Sequence, residues 1–176
     1  ANVQEDGKAV GALGSSEVHF HADLAFRPEP GSVSILYAVE APSDSGHTSW
    51  SSGIDAYDAL DAQTKEALAT ARIEYTHSKE SYRAEDPVVH PLVCSHPESG
   101  RTSLYFSANH AKRVVDETAS ESESLVARLK SYTTEDRFAW THQWSPGDLV
   151  VWDNRTTQHR RSPVDETKRR LMRRTQ

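Results

Sequence analysis

The stretch Val18–Phe26, VHFHADLAF, decides how this chain is read. Its residues alternate. Val18, Phe20, Ala22, Leu24 and Phe26 fall on one side of an extended chain, and His19, His21 and Asp23 on the other. The pattern predicts a half-buried strand over 18–26. Its second face carries two imidazoles and a carboxylate where ordinary polar residues would suffice for water. Two residues on one strand face lie about 7 Å apart along the backbone, close enough for His21 and Asp23 to converge on one ion. His19 and Asp23 lie roughly 13 Å apart, so the trio cannot do this alone and a distant third ligand is needed.

Several histidines could supply it, and His159 is the best placed. It follows LVVWDNRTTQ, where a buried strand runs into a polar loop, the kind of strand end at which sites collect. Two imidazoles and one carboxylate on one face of a metal leave the opposite positions open, as in the facial triad of non-haem Fe(II) oxygenases. The segment KRRLMRRT lies just beyond His159. In a strand, Arg170, Met172 and Arg174 share one face, with Arg169, Leu171 and Arg173 on the other. Arginines turned into a pocket are costly unless an anion meets them, and a dicarboxylate is a natural partner for a guanidinium fork.

The rest of the chain reads as many short strands with helices between them. Residues 1–16 read as loop. SVSILYAVEA (32–41) and TSWSS (48–52) are strands. GIDAYDAL and DAQTKEALATA are helical, the second with Asp61 as N-cap. PVVHPLVCSH (87–96) and RTSLYFSA (101–108) flank the turn HPESG. Ser120 and Glu123 form a capping box ahead of an amphipathic helix. FAWTHQW (138–144), LVVWD (149–153) and KRRLMRRT (168–175) are strands, with the turn SPGD between the first two. This order predicts a mostly β fold with helical insertions, a curled sandwich or jelly roll.

The totals bound the function. The 176 residues suit one domain, and the net charge of −6 argues against a general nucleic-acid binder. Cys94 is the only cysteine, so no internal disulfide can form, and it reads as a small buried hydrophobe. No apolar run is long enough to span a membrane and no signal peptide is evident, which makes the cytoplasm the expected location. Asn154-Arg155-Thr156 matches a glycosylation sequon without a secretory context.

FHADLAF, SGHTSW, SLYF, WSPGDLVVWDNRTTQH and RRLMRR together resemble the taurine dioxygenase and dichlorophenoxyacetate dioxygenase family, over nearly the whole chain. The resemblance implies an Fe(II)- and 2-oxoglutarate-dependent oxygenase on a double-stranded β-helix of cupin type. It implies that His21, Asp23 and His159 hold the metal. It implies that Arg170 and Thr48 bind the far carboxylate of 2-oxoglutarate, and that Arg174 faces the substrate anion. Asn109 and His110, in SANHAKRVV, match the region lining the substrate pocket. The implied reaction consumes dioxygen and hydroxylates or oxidatively cleaves a small anionic molecule, a carboxylate or sulfonate, with release of succinate and carbon dioxide. Homo-oligomers are expected from the family. Members carry a longer segment ahead of the His-x-Asp motif, so residues 1–176 are expected to be one catalytic domain without it.

Two other readings use the same residues. A metal-binding β-sandwich without turnover would keep the site alone. A zinc hydrolase could use the same ligands, but it would leave Arg170 without a purpose and would need a general base. His19, His90, His96 and His142 read as structural, Arg169 and Arg173 as a solvated face, and Trp140 and Trp144 as sheet packing.

Overall fold

The computed structural model describes residues 3–6, 8–9 and 13–176. In chain order the elements are β1 (Gln4–Glu5), β2 (Lys8–Ala9), β3 (Val18–His21), β4 (Val33–Glu40), β5 (Thr48–Ser52), α1 (Gly53–Asp58), α2 (Ala62–Leu68) and β6 (Arg72–Tyr75). There follow β7 (Val88–Pro91), β8 (Val93–Ser95), β9 (Thr102–Leu104), β10 (Ala111–Val114), α3 (Ala119–Tyr132), β11 (Ala139–His142), β12 (Leu149–Asp153), β13 (Thr157–Arg161) and β14 (Leu171–Thr175). The described residues are therefore mostly β with few helices, as the sequence predicts.

Two antiparallel sheets enclose the site. One has the order β11-β5-β13-β3 and the other β12-β4-β14. Their inner faces meet through a cluster of Ala38, Trp50, Trp144 and Trp152, in which the Trp50 and Trp152 rings lie edge to face at 5.4 Å. The strand period sets which side chains arrive there. On β4, Ser34 and Ala38 are buried while Val33 and Tyr37 are exposed. On β13, His159 and Arg161 face inward. Gln158 points to the other side, where it accepts from the Ala108 backbone N–H at 2.8 Å and donates to Thr133 Oγ1 at 2.9 Å. That outer side is covered by the larger core, built from Ala56, Leu104, Phe106, Val126, Leu129 and Phe138 among others. Buried on both faces, β13 is held against sliding by one row of side chains on each side.

Several local expectations are corrected. The strand beginning at Val18 stops at His21 instead of running to Phe26, and Leu24 sits at φ +56° within a turn. The ladder ends where His21 pairs with His159, after which a side chain captures the backbone of Asp23. The capping box of α3 is Thr118 with Glu121, two residues earlier than Ser120 and Glu123. Both pairs fit the same pattern, and the first turn selects between them. The 87–96 run breaks at Leu92: β7 joins a sheet of order β10-β6-β7, whereas β8 pairs with β9. Trp140 is 56% exposed, stacked on Trp50 at an open sheet edge, while Trp144 is 1% exposed. Cys94 is only partly buried. Within 1–16, β1 and β2 form a short antiparallel pair where loop was expected; the loop reading at 1–2, 7 and 10–12 lies outside the described residues. Asp61 caps α2 as expected, its carboxylate accepting from the Thr64 N–H at 2.7 Å.

Candidate metal centre

The end of β3, the turn after it and the inner face of β13 place three side chains around one point. Among the described residues, His21, Asp23 and His159 offer ligand atoms that all lie within 4.8 Å of one another. Nε2 of His21 and Nε2 of His159 each stand 3.6 Å from Oδ1 of Asp23. The two imidazoles are cross-strand partners with ring centroids 4.2 Å apart.

Two of the three ligands, His21 and Asp23, are oriented by hydrogen-bonded neighbours. Nδ1 of His21 is 2.8 Å from the His19 carbonyl oxygen, so it carries the proton and donates it, and Nε2 keeps its lone pair toward the centre. Oδ2 of Asp23 accepts from Ser34 Oγ at 2.7 Å and from Nη2 of Arg174, which leaves Oδ1 turned to the histidines. The Asp23 backbone is held by Asn154. Its Oδ1 accepts from the Asp23 N–H at 2.7 Å, and its Nδ2 donates to the carbonyls of Asp23 and Gly31 at 2.9 and 2.8 Å.

The electrostatics suit a cation. Burial, with Arg174 nearby, pushes the His21 imidazole down to about 4, and burial holds His159 well below its ordinary value. Both are therefore neutral at pH 7 and able to coordinate. Both ring nitrogens of His159 are buried without a hydrogen bond. A polar atom in that position is costly, and a metal ion would satisfy Nε2, the nitrogen that faces Asp23 Oδ1. The donor set, two neutral imidazoles and one carboxylate oxygen, fits a divalent transition metal.

A cavity of about 210 Å³ opens beside this centre. His21 and His159 line it, as do the predicted residues Thr48, Arg170 and Arg174, with Leu36, Trp152 and Met172 as apolar wall. Thr48 accepts from Trp144 Nε1 at 2.9 Å. Arg170 is buried just ahead of β14, and its stem passes Gly46, whose φ of +68° and missing Cβ leave room for it. Burial pushes Arg170 and Arg174 down to about 10, so both remain cationic at neutral pH.

Asn109 and His110 stand elsewhere. Asn109 is exposed, its N–H bonded to the Phe20 carbonyl at 3.0 Å, and it does not line the cavity. His110 is buried behind His21, edge-on at 5.7 Å, with Nδ1 2.9 Å from Ser107 Oγ. His19 is exposed. His90, His96 and His142 make structural contacts to Arg27 O, Asp153 and Asp148. Sequence reasoning passed over Ser34 and Asn154. The asparagine stands in a sequon, yet its side chain is fully buried and unavailable to a glycan. Its signal was its place just after the strand LVVWD, which is not the buried strand expected: Leu149 and Val151 are exposed at an open face and only Trp152 is buried.

Comparison with known proteins finds relatives over most of the chain. The family model described as taurine catabolism dioxygenase TauD, TfdA family matches residues 2–176. A pentalenolactone F synthase of Streptomyces arenae is 32% identical over 98% of this chain, and a 2,4-dichlorophenoxyacetate dioxygenase of Burkholderia sp. (strain RASC) is 34% identical over 99%. The chain spans 66% and 64% of those two proteins, slightly less than two thirds of each. Among solved structures, AAD-2 in complex with Mn(II) and N-oxalylglycine superposes with a TM-score of 0.79 at 32% identity, over 89% of this chain and 66% of that one. A taurine dioxygenase from Burkholderia xenovorans gives 0.79 at 31% identity, over 88% and 55%. No helix of the described residues is long and apolar enough to cross a membrane. With a matching family model over almost its whole length, the chain belongs to the TauD/TfdA family of dioxygenases.

Proposed function

We propose that this chain is the catalytic unit of an Fe(II)- and 2-oxoglutarate-dependent dioxygenase acting on a small organic anion. The observation that carries the reading is the convergence of His21, Asp23 and His159 beside a cavity holding Thr48, Arg170 and Arg174. The two facing sheets correspond to the double-stranded β-helix of the family, and the whole chain to one domain.

His21, Asp23 and His159 would hold the iron. Arg170 and Thr48 bind the far carboxylate of 2-oxoglutarate. When bound, the iron with 2-oxoglutarate and dioxygen supplies the oxidation that converts a C–H bond to C–OH and yields succinate and carbon dioxide. The protein's share is placement. The His19 carbonyl fixes the tautomer of His21. Ser34 and Arg174 fix which oxygen of Asp23 faces the centre. Leu36, Trp152 and Met172 keep the neighbouring space apolar and exclude water. Arg174 lines the cavity, part-exposed and paired with Asp23, and is the cation offered to a substrate carboxylate or sulfonate. The relatives' names support an anionic substrate, since they include dioxygenases of 2,4-dichlorophenoxyacetate, (S)-phenoxypropionate and a sulfonate.

The test is anaerobic addition of Fe(II) and 2-oxoglutarate, followed by the weak visible charge-transfer band of the chelate. The band is expected for the parent and absent for His21→Ala. A folded parent without a band overturns the reading. Succinate release with phenoxyacetates and alkylsulfonates then separates turnover from binding alone.

A further inference from the structure

The cavity holds a cation that the proposed function does not use. Arg161 is the last residue of β13, two positions from His159 on the same inward face. It pairs across the sheet with Thr48 on one side and with Val18 on the other. Cross-strand partners share a face, so Thr48 and Arg161 stand side by side in one row, about 7 Å along the strand from the row of His21 and His159. Arg161 lines the same cavity as Arg170.

The Arg161 guanidinium is 8% exposed. Its Nη2 donates to the Ser16 carbonyl, and its Nε is buried without a partner. Arg161 and Arg170 thus present two guanidiniums to one cavity. Two guanidiniums facing one cavity repel each other and are poorly solvated. The carboxylate of the metal centre, Asp23, is already shared by Arg174 and the two histidines. No carboxylate stands among the described residues that line the cavity, so an anion entering it meets Arg161 directly.

We infer that Arg161 is a second binding residue for the far carboxylate of the 2-oxoglutarate cosubstrate, so that Thr48, Arg161 and Arg170 grip it from two strands and the segment before a third. This rests on the proposed function above and deepens it. The doubled cation selects a cosubstrate that is a dicarboxylate over a monocarboxylic 2-oxo acid. Each guanidinium supplies a charge-assisted hydrogen bond to the carboxylate. The alternative is that Arg161 does no more than tie Ser16 to the sheet.

Anaerobic titration of the Fe(II)-loaded chain with 2-oxoglutarate and, separately, with pyruvate distinguishes the two. Pyruvate has the same 2-oxo acid end and no far carboxylate. Arg161→Leu and Arg161→Gln are expected to raise the Kd for 2-oxoglutarate tenfold or more and to leave the Kd for pyruvate within twofold, which also certifies the fold. Arg161→Lys is expected to fall between them and the parent. Calorimetry of the metal-free chain with glutarate should show the same ranking. A 2-oxoglutarate Kd within twofold of the parent, or an equal loss for pyruvate, overturns the assignment. If Arg170→Leu loses 2-oxoglutarate while Arg161→Leu does not, this inference fails and the proposed function stands. If the parent gives no band with 2-oxoglutarate, the proposed function itself fails.

Discussion

Asn154 clasps the backbone of Asp23 at two points, accepting from its N–H at 2.7 Å and donating to its carbonyl at 2.9 Å. Asp23 lies in the β3–β4 connection and Asn154 in the β12–β13 connection, both of which join the same two sheets, and the clasp is what turns the chain out of β3 in time to bring Oδ1 to the histidines. Asn154→Ala removes these two bonds and the one to the Gly31 carbonyl inside a fully buried site; the Asp23 carbonyl keeps the Gly31 N–H at 3.3 Å, while the Asp23 N–H and the Gly31 carbonyl lose their Asn154 partner. The expected result is a loss of about 2 kcal/mol in stability and a 10- to 100-fold weaker metal affinity. Mn(II) titration by electron paramagnetic resonance and urea denaturation measure the two. An unchanged Mn(II) Kd would show that the turn holds itself.

His159 lets stability and function be set against each other. Its two nitrogens are buried without a hydrogen bond. Without metal, that is a cost of about 1–2 kcal/mol which an apolar side chain of similar size does not carry. His159→Leu is therefore expected to raise the urea midpoint of the metal-free protein while abolishing metal binding. Excess Mn(II) at about 100 times its Kd should stabilise the parent by about 2.7 kcal/mol and the variant not at all. A variant less stable than the metal-free parent would contradict the account.

The same burial dictates a pH dependence. His21 is pushed down to about 4 and His110 to about 3, against 6.5 in an unfolded chain. Between those values the unfolded state binds the extra protons, so stability rises with pH in that window. Contributions present above pH 6.5 are lost as the pH falls toward 4 and 3. At pH 5.5 the expected loss is about 1 kcal/mol for each group. Metal-free urea midpoints at pH 7.5 and 5.5 read this directly, and His110→Gln should remove about a third of the difference, because His159, also held well below its ordinary value, contributes in the same window. A midpoint that does not move would mean that these rings are hydrated in solution.

Much of the site was legible in the chain because strand alternation is a local rule. It put Arg170, Met172 and Arg174 on one face, and all three line the cavity. It also paired His21 with Asp23, although for a partly mistaken reason: the strand was read through to Phe26, whereas the carboxylate arrives by a turn. What was not legible depends on distant partners. Nothing near Ser34 says that its hydroxyl meets Asp23, and nothing near Arg161 says that Thr48 is its neighbour across the sheet. The position of α3's cap failed for a different reason. Two overlapping Thr/Ser-x-x-Glu patterns carry the same local signal, and only packing decides between them.

Two glycines separate backbone cost from site cost. Gly46 has φ +68°, and a Cβ there would stand 2.8 Å from Cδ of Arg170 and 2.9 Å from its Nε. Gly100 has φ +69° and open space around it. Alanine at either position must adopt a left-handed conformation, at a cost of about 1 kcal/mol or more. Only at position 46 must it also displace the Arg170 side chain. Gly46→Ala is expected to lose that stability and to weaken 2-oxoglutarate binding to the Fe(II)-loaded chain about tenfold, because a guanidinium moved by even 1 Å no longer meets a carboxylate with both nitrogens. Gly100→Ala is expected to lose the same stability and keep the parent's affinity. Thermal melts and the anaerobic chelate titration compare them. Equal affinities for the two variants would mean that Arg170 accommodates the methyl group, and that the close approach at Gly46 serves the turn alone.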